Sequence, residues 1–100
     1  MAEVLTIEEL RTRIDVIDEQ LLRLLNVRVA CAVEVGRLKH EAGLPIYQPE
    51  REAQVLDRVR QSATALAGPL TAEAVVRIFE RVIDEARRAE REASSRRDEL

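Results

Sequence analysis

One hundred residues suffice for one domain and not for two, and so short a chain buries only a modest part of its surface alone, which makes assembly with a partner the expectation. The chain is 46% hydrophobic and 35% charged with only two aromatics, a composition of long helices and not of strands. A net charge of −3 excludes bulk attraction to nucleic acid or to an anionic membrane, so any anion must be held by a few placed cations.

The first predicted element opens at Thr6-Ile-Glu-Glu9, a capping box. Apolar residues then recur at spacings of three and four: Ile7, Leu10, Ile14, Ile17, Leu21, Leu24, Cys31, Val35, Leu38 and Ala42. Gly36 weakens the helix without stopping the pattern, and Gly43 followed by Pro45 ends it. One helix over about 6–42 is about 55 Å long, more than a compact domain of this size needs, so it should protrude and pack along a partner. Cys31 lies on its apolar stripe and reads as an inert core thiol. A lone cysteine allows no internal disulfide and suits a reducing, cytoplasmic compartment. His40, the one histidine, has no ligand cluster beside it, so no metal is expected.

Residues 43–48 form a loop, and Pro49 suits the first turn of a second helix reaching about Ser62. Ala67-Gly68-Pro69 is a turn. Thr71 caps a third helix with Glu73 in its first turn and an apolar stripe of Val75, Ile78, Phe79, Val82, Ile83 and Ala86, continuing to Ala93. Residues 94–100 are polar and are expected to fray. The final Arg97-Asp98-Glu99-Leu100 resembles an ER-retention tail, discounted here because no export signal or apolar span of about 20 residues accompanies it. The reading is a single all-α domain over 1–100 with its core in about 6–93.

Four charges do not fit a simple zipper. Arg28 occupies a seam position where leucine is expected; it either pairs with a neighbouring helix, snorkels outward, or grips an anion. Lys39 lies eleven residues on, a net turn of about 20° and a rise of about 16 Å, so the two share a face and can clamp a small dianion; alone, Lys39 reads as a solvated lysine. Arg11 flanks the same seam about 25 Å from Arg28, too far to serve the same small ligand within one chain. It serves that site only from another subunit, and a helix pair with Asp15 accounts for it equally well. Glu90 extends the third helix's stripe by one step and can equally be a solvated carboxylate, as Arg51-Glu52 can be a surface pair.

Three stretches carry a resemblance. Leu10-Arg-Thr-Arg-Ile-Asp-Val-Ile-Asp-Glu-Gln-Leu-Leu22, Ala32-Val-Glu-Val-Gly-Arg-Leu-Lys39 and Gly43-Leu-Pro-Ile-Tyr-Gln-Pro-Glu-Arg-Glu52, in this order, resemble the AroQ class of chorismate mutases. The likeness runs over about 5–92 and implies three helices per chain, interlocked as a homodimer with two equivalent sites. It implies the cofactor-free Claisen rearrangement of chorismate to prephenate, toward phenylalanine and tyrosine. Carried over by position, Arg28 and the partner's Arg11 bind the substrate's carboxylates, and Lys39 lies beside a carboxylate and the ether oxygen. Gln48 and Glu52 meet the ring hydroxyl, and Arg51 supports the loop–helix junction. Ala86 and Glu90 stand where a serine and a glutamine are found in the enteric form. Three departures follow. Gln48 replaces an aspartate common in the family, Ala86 lacks the hydroxyl of a carboxylate contact, and Glu90 must be protonated to donate a hydrogen bond. An isochorismate-pyruvate lyase shares the cation set but lacks the 43–52 loop pattern, and a silent helical regulatory module has no use for Arg28. With no extra domain, an internal effector site is not expected; docking on another shikimate-pathway enzyme is left open.

Overall fold

In the computed structural model, which describes residues 4–99, the Thr6 hydroxyl accepts from the Glu9 N–H at 3.1 Å. The Glu9 carboxylate accepts from the Thr6 N–H at 3.2 Å. The expected box thus satisfies two otherwise orphaned donors and starts α1, Ile7–Ala42, a single helix of 36 residues. At its far end Gly43 adopts φ 70°, a left-handed conformation that costs a residue with a Cβ about 1–2 kcal/mol. Its N–H donates to the His40 carbonyl, and the Leu44 N–H donates to the Lys39 carbonyl at 2.8 Å. These two bonds form a Schellman motif that fixes how the chain leaves α1.

After the loop, α2 spans Pro49–Ala65 and α3 spans Ala72–Asp98. Pro49 opens α2 as expected, but Gln48 caps it through its backbone carbonyl, which accepts from the Arg51 and Glu52 N–H groups, and not through its side chain. The second helix runs three residues beyond the expected Ser62, to Ala65. Thr71 caps α3 with its hydroxyl 3.0 Å from the Ala74 N–H. The expectation of a frayed 94–100 segment is corrected: α3 remains helical to Asp98. Ala93, Ser94 and Arg97 are half-buried there, and Arg96 and Arg97 complement the dipole of the last turn. Leu100, which ends the Arg97–Leu100 tail, lies outside the described residues.

The third helix packs against both α1 and α2, while α1 and α2 do not pack on each other among the described residues. The radius of gyration is 17.7 Å, against about 13 Å for a compact 100-residue domain. Among the described residues the buried apolar side chains are few, Val55, Val76 and Ala86, and Gly36 is buried as well. Along α1 the stripe that the periodicity marks as apolar lies open in the single chain, with Ile14 52%, Leu21 52% and Leu24 67% exposed. Cys31 is exposed as well, which corrects its reading as a core thiol: its stretch of the seam faces a cavity instead of a packed helix.

Candidate active site

A cavity of about 290 Å³ lies among the C-terminal half of α1, the loop, the start of α2 and the middle of α3. That is the lower end of the usual range for small-molecule sites. The first helix contributes Arg28 and Lys39, one from each end of the cavity's face on that helix. Gln48 comes from the cap of α2, Arg51 and Glu52 from its first turn, and Ala86 and Glu90 from α3. The structure thus brings seven of the eight expected residues to one place. Arg11 is the exception: it is exposed on the first turns of α1 and does not line the cavity. Nor does it form the alternative ion pair with Asp15 among the described residues.

Lys39 is tied to the loop at two points. Its carbonyl accepts the Schellman bond from Leu44, and its Nζ donates to the Ile46 carbonyl at 3.2 Å. A lysine so held is preorganised, with two further ammonium protons for other acceptors. Arg37, two residues earlier, is spent differently. It donates to Glu41 at 2.6 Å and to Glu34 on the exposed side, surface pairs of little energetic worth.

Two cations missed by the sequence reading line the same cavity, Arg58 and Arg87. Arg87 donates to the Glu52 carboxylate, so Glu52 pairs between α2 and α3 and not with its neighbour Arg51. The stripe signal hid Arg87, because it lies one residue after the buried Ala86 in a run of charges that reads as a solvated face. Burial pushes the Glu90 carboxyl above the usual carboxylate range; Lys39 and Arg87 oppose that rise, and the charge of Glu52 adds to it. The cavity therefore holds five cations against Glu52 and a Glu90 whose carboxyl burial pushes up, an arrangement suited to a small dianion.

Gly36 of α1 packs against the Glu90 side chain of α3. A Cβ built on it would stand 3.4 Å from the Glu90 Cγ and Oε2, an ordinary contact with no room beyond. Gly36→Ala is therefore expected to raise thermal stability by up to about 1 kcal/mol through helix propensity, with turnover little changed. Gly36→Leu is expected to displace the Glu90 side chain and lower kcat/KM by roughly tenfold or more, the scale of loss that a small displacement within a site causes. Thermal unfolding and steady-state assays of the two variants check this pair, and equal turnover in both would separate Gly36 from the placement of Glu90.

The fold and the cavity define an all-helical chain with a cation-lined pocket at the junction of its three helices. Residues 10–91 match the family model for chorismate mutase type II. A bifunctional chorismate mutase/prephenate dehydratase of Aquifex aeolicus is 41% identical over 78 residues, 77% of this chain. The chain spans only 22% of that relative's length. Among solved structures, a chorismate mutase of Helicobacter pylori in complex with prephenate superposes with a TM-score of 0.77 at 30% identity, covering 89% of this chain and 93% of that one. A chorismate mutase of Thermus thermophilus superposes with a TM-score of 0.75 at 34% identity, covering 85% and 93%. The chain belongs to the chorismate mutase type II family.

Proposed function

We propose that this chain rearranges chorismate to prephenate, in a homodimer whose two sites each take Arg11 from the partner subunit. The observation that carries the reading is the gathering of Arg28, Lys39, Glu52 and Glu90 around one cavity in a member of this family. The prephenate complex of the Helicobacter pylori relative supports the choice of ligand. The paired state is supported by the open apolar stripe on α1 and by a core of only three apolar side chains among the described residues. A second copy covering that stripe would bury what the single chain leaves in water. No helix among the described residues is long and apolar enough to cross a membrane, and a cytoplasmic setting is part of this reading.

The chemistry is intramolecular: one C–O bond breaks, one C–C bond forms, and no proton or electron leaves the substrate. What the protein supplies is conformation and field. Arg28 and the partner's Arg11 hold the two carboxylates so that the side chain folds over the ring, which prepays the entropy of reaching the reactive chair. As the C–O bond lengthens, negative charge grows on the ether oxygen, and donors aimed there stabilise the transition state more than the ground state. Lys39 is one such donor and protonated Glu90 the other. Glu52 and the backbone about Gln48 receive the ring hydroxyl, so the exchange of aspartate for Gln48 is mild. The lost hydroxyl at Ala86 leaves one carboxylate contact to water. Incubating the protein with chorismate and following prephenate tests the whole reading; unchanged chorismate would sink it.

Glu90 sets the pH dependence. It donates only when protonated, and burial raises its pKa above the ordinary value of about 4.3. The expected result is a kcat/KM that falls as pH rises through the pKa of Glu90 in the free enzyme. Glu90→Gln keeps a permanent amide donor and is expected to flatten that fall and hold activity at alkaline pH, whereas Glu90→Ala is poor throughout. A Gln variant with the wild-type profile would remove Glu90 from the titrating role.

A further inference from the structure

A carboxylate in a pocket for a dianion is a liability. Glu52 is half-buried, and within the proposed reaction it accepts a hydrogen bond from the substrate's ring hydroxyl while facing a ligand with two negative charges. Left unpaired, it would repel the ligand it helps to hold. Among the described residues its ion-pair partner is Arg87, 35 residues away on α3.

Arg87 is itself constrained. Its guanidinium carbon stands 5.1 Å from the centre of the Tyr47 ring, so the planar group lies over an aromatic contributed by the loop. One fork nitrogen donates to Glu52 on α2, and the other is 4.0 Å from the Asp84 carboxylate one turn earlier on α3. A single side chain thus touches the loop, α2 and its own helix. It does so at the wall of the cavity that Glu52 and Glu90 also line.

We propose that Arg87 is a positioning residue that neutralises Glu52 and fixes its orientation, so that this carboxylate can accept from a dianionic substrate without driving it away. The inference rests on the chorismate reading above. It concerns a residue that does not bind the substrate's carboxylates but acts through Glu52. The contact with the Tyr47 ring helps to hold the guanidinium beside the carboxylate. A lysine at this position retains the charge and loses the fork. The Glu52 contact exists in ground and transition states alike, so its disturbance falls mainly on KM.

The test is a kinetic cycle with chorismate on the full chain: wild type, Arg87→Met, Glu52→Gln and the double variant, with Arg87→Lys beside them. Arg87→Met is expected to raise KM by roughly tenfold or more with a smaller change in kcat, because a free carboxylate now faces the dianion. Glu52→Gln removes that carboxylate, so the double variant is expected to have a lower KM than Arg87→Met alone. Arg87→Lys should fall between wild type and Met. A general scaffold role for Arg87 predicts no such rescue, and effects that simply multiply would overturn the proposal. If Arg87→Met loses its helices by circular dichroism, Arg87→Lys with and without Glu52→Gln makes the same comparison. An active wild type with multiplying effects overturns this inference alone; a wild type that leaves chorismate unchanged overturns the functional reading and this inference with it.

Discussion

Lys39→Ala is expected to lower kcat/KM by about 10²- to 10³-fold, the loss that follows removal of one preorganised oxyanion donor. The size follows from how the residue is held. Its Nζ is already fixed to the Ile46 carbonyl at 3.2 Å, so little reorganisation is needed when charge develops at the ether oxygen. Lys39 also faces Glu90, so its removal weakens a cation that opposes the rise of that carboxyl's pKa. The variant therefore loses its own donor while Glu90 becomes easier to protonate, and the fall in rate at alkaline pH moves upward. The fold should survive, because the Schellman bond runs through the Lys39 carbonyl and is independent of the side chain. Steady-state kinetics over a range of pH, with circular dichroism as the control, measure both effects. Near-normal turnover would take Lys39 out of the site.

The second large effect is a restoration. Arg11→Ala and Arg28→Ala chains are each expected to be inactive, and mixing them is expected to bring activity back. Each proposed site combines Arg28 of one chain with Arg11 of its partner. A mixed dimer therefore carries one site lacking both arginines and one lacking neither. Random pairing at equal amounts makes half the dimers mixed, so about a quarter of wild-type activity should return under two-fold symmetry. The mixture must be unfolded and refolded together, or coexpressed, to allow exchange. Mixed dimers that form and stay inactive would refute the sharing of Arg11, and so would activity already present in the Arg11→Ala chain alone.

The helices were legible because their ends are written in local chemistry. Thr6 with Glu9, Gly43 before Pro45, Pro49 and Thr71 each act within a few residues of where they stand. The far ends of α2 and α3 are less legible: the residues after Ser62 and after Ala93 carry no strong local stop, so local chemistry does not say how far each helix runs. At the site, Arg28 stood out because a charge interrupted an apolar period. Arg87 did not, because its partner Glu52 is 35 residues away and no periodicity reports a contact between helices. Cys31 was misread for a related reason: spacing identifies the face a residue occupies and does not say whether that face meets a helix or a pocket.

A core of Val55, Val76 and Ala86 has a consequence for how the molecule behaves on dilution. In the proposed homodimer most of the apolar surface that drives folding would be supplied between chains, so folding and pairing would form one bimolecular equilibrium. Each tenfold dilution removes about 1.4 kcal/mol from its apparent stability. At chain concentrations near the dissociation constant of that proposed dimer, the number of complete sites would rise faster than in proportion to the amount of chain.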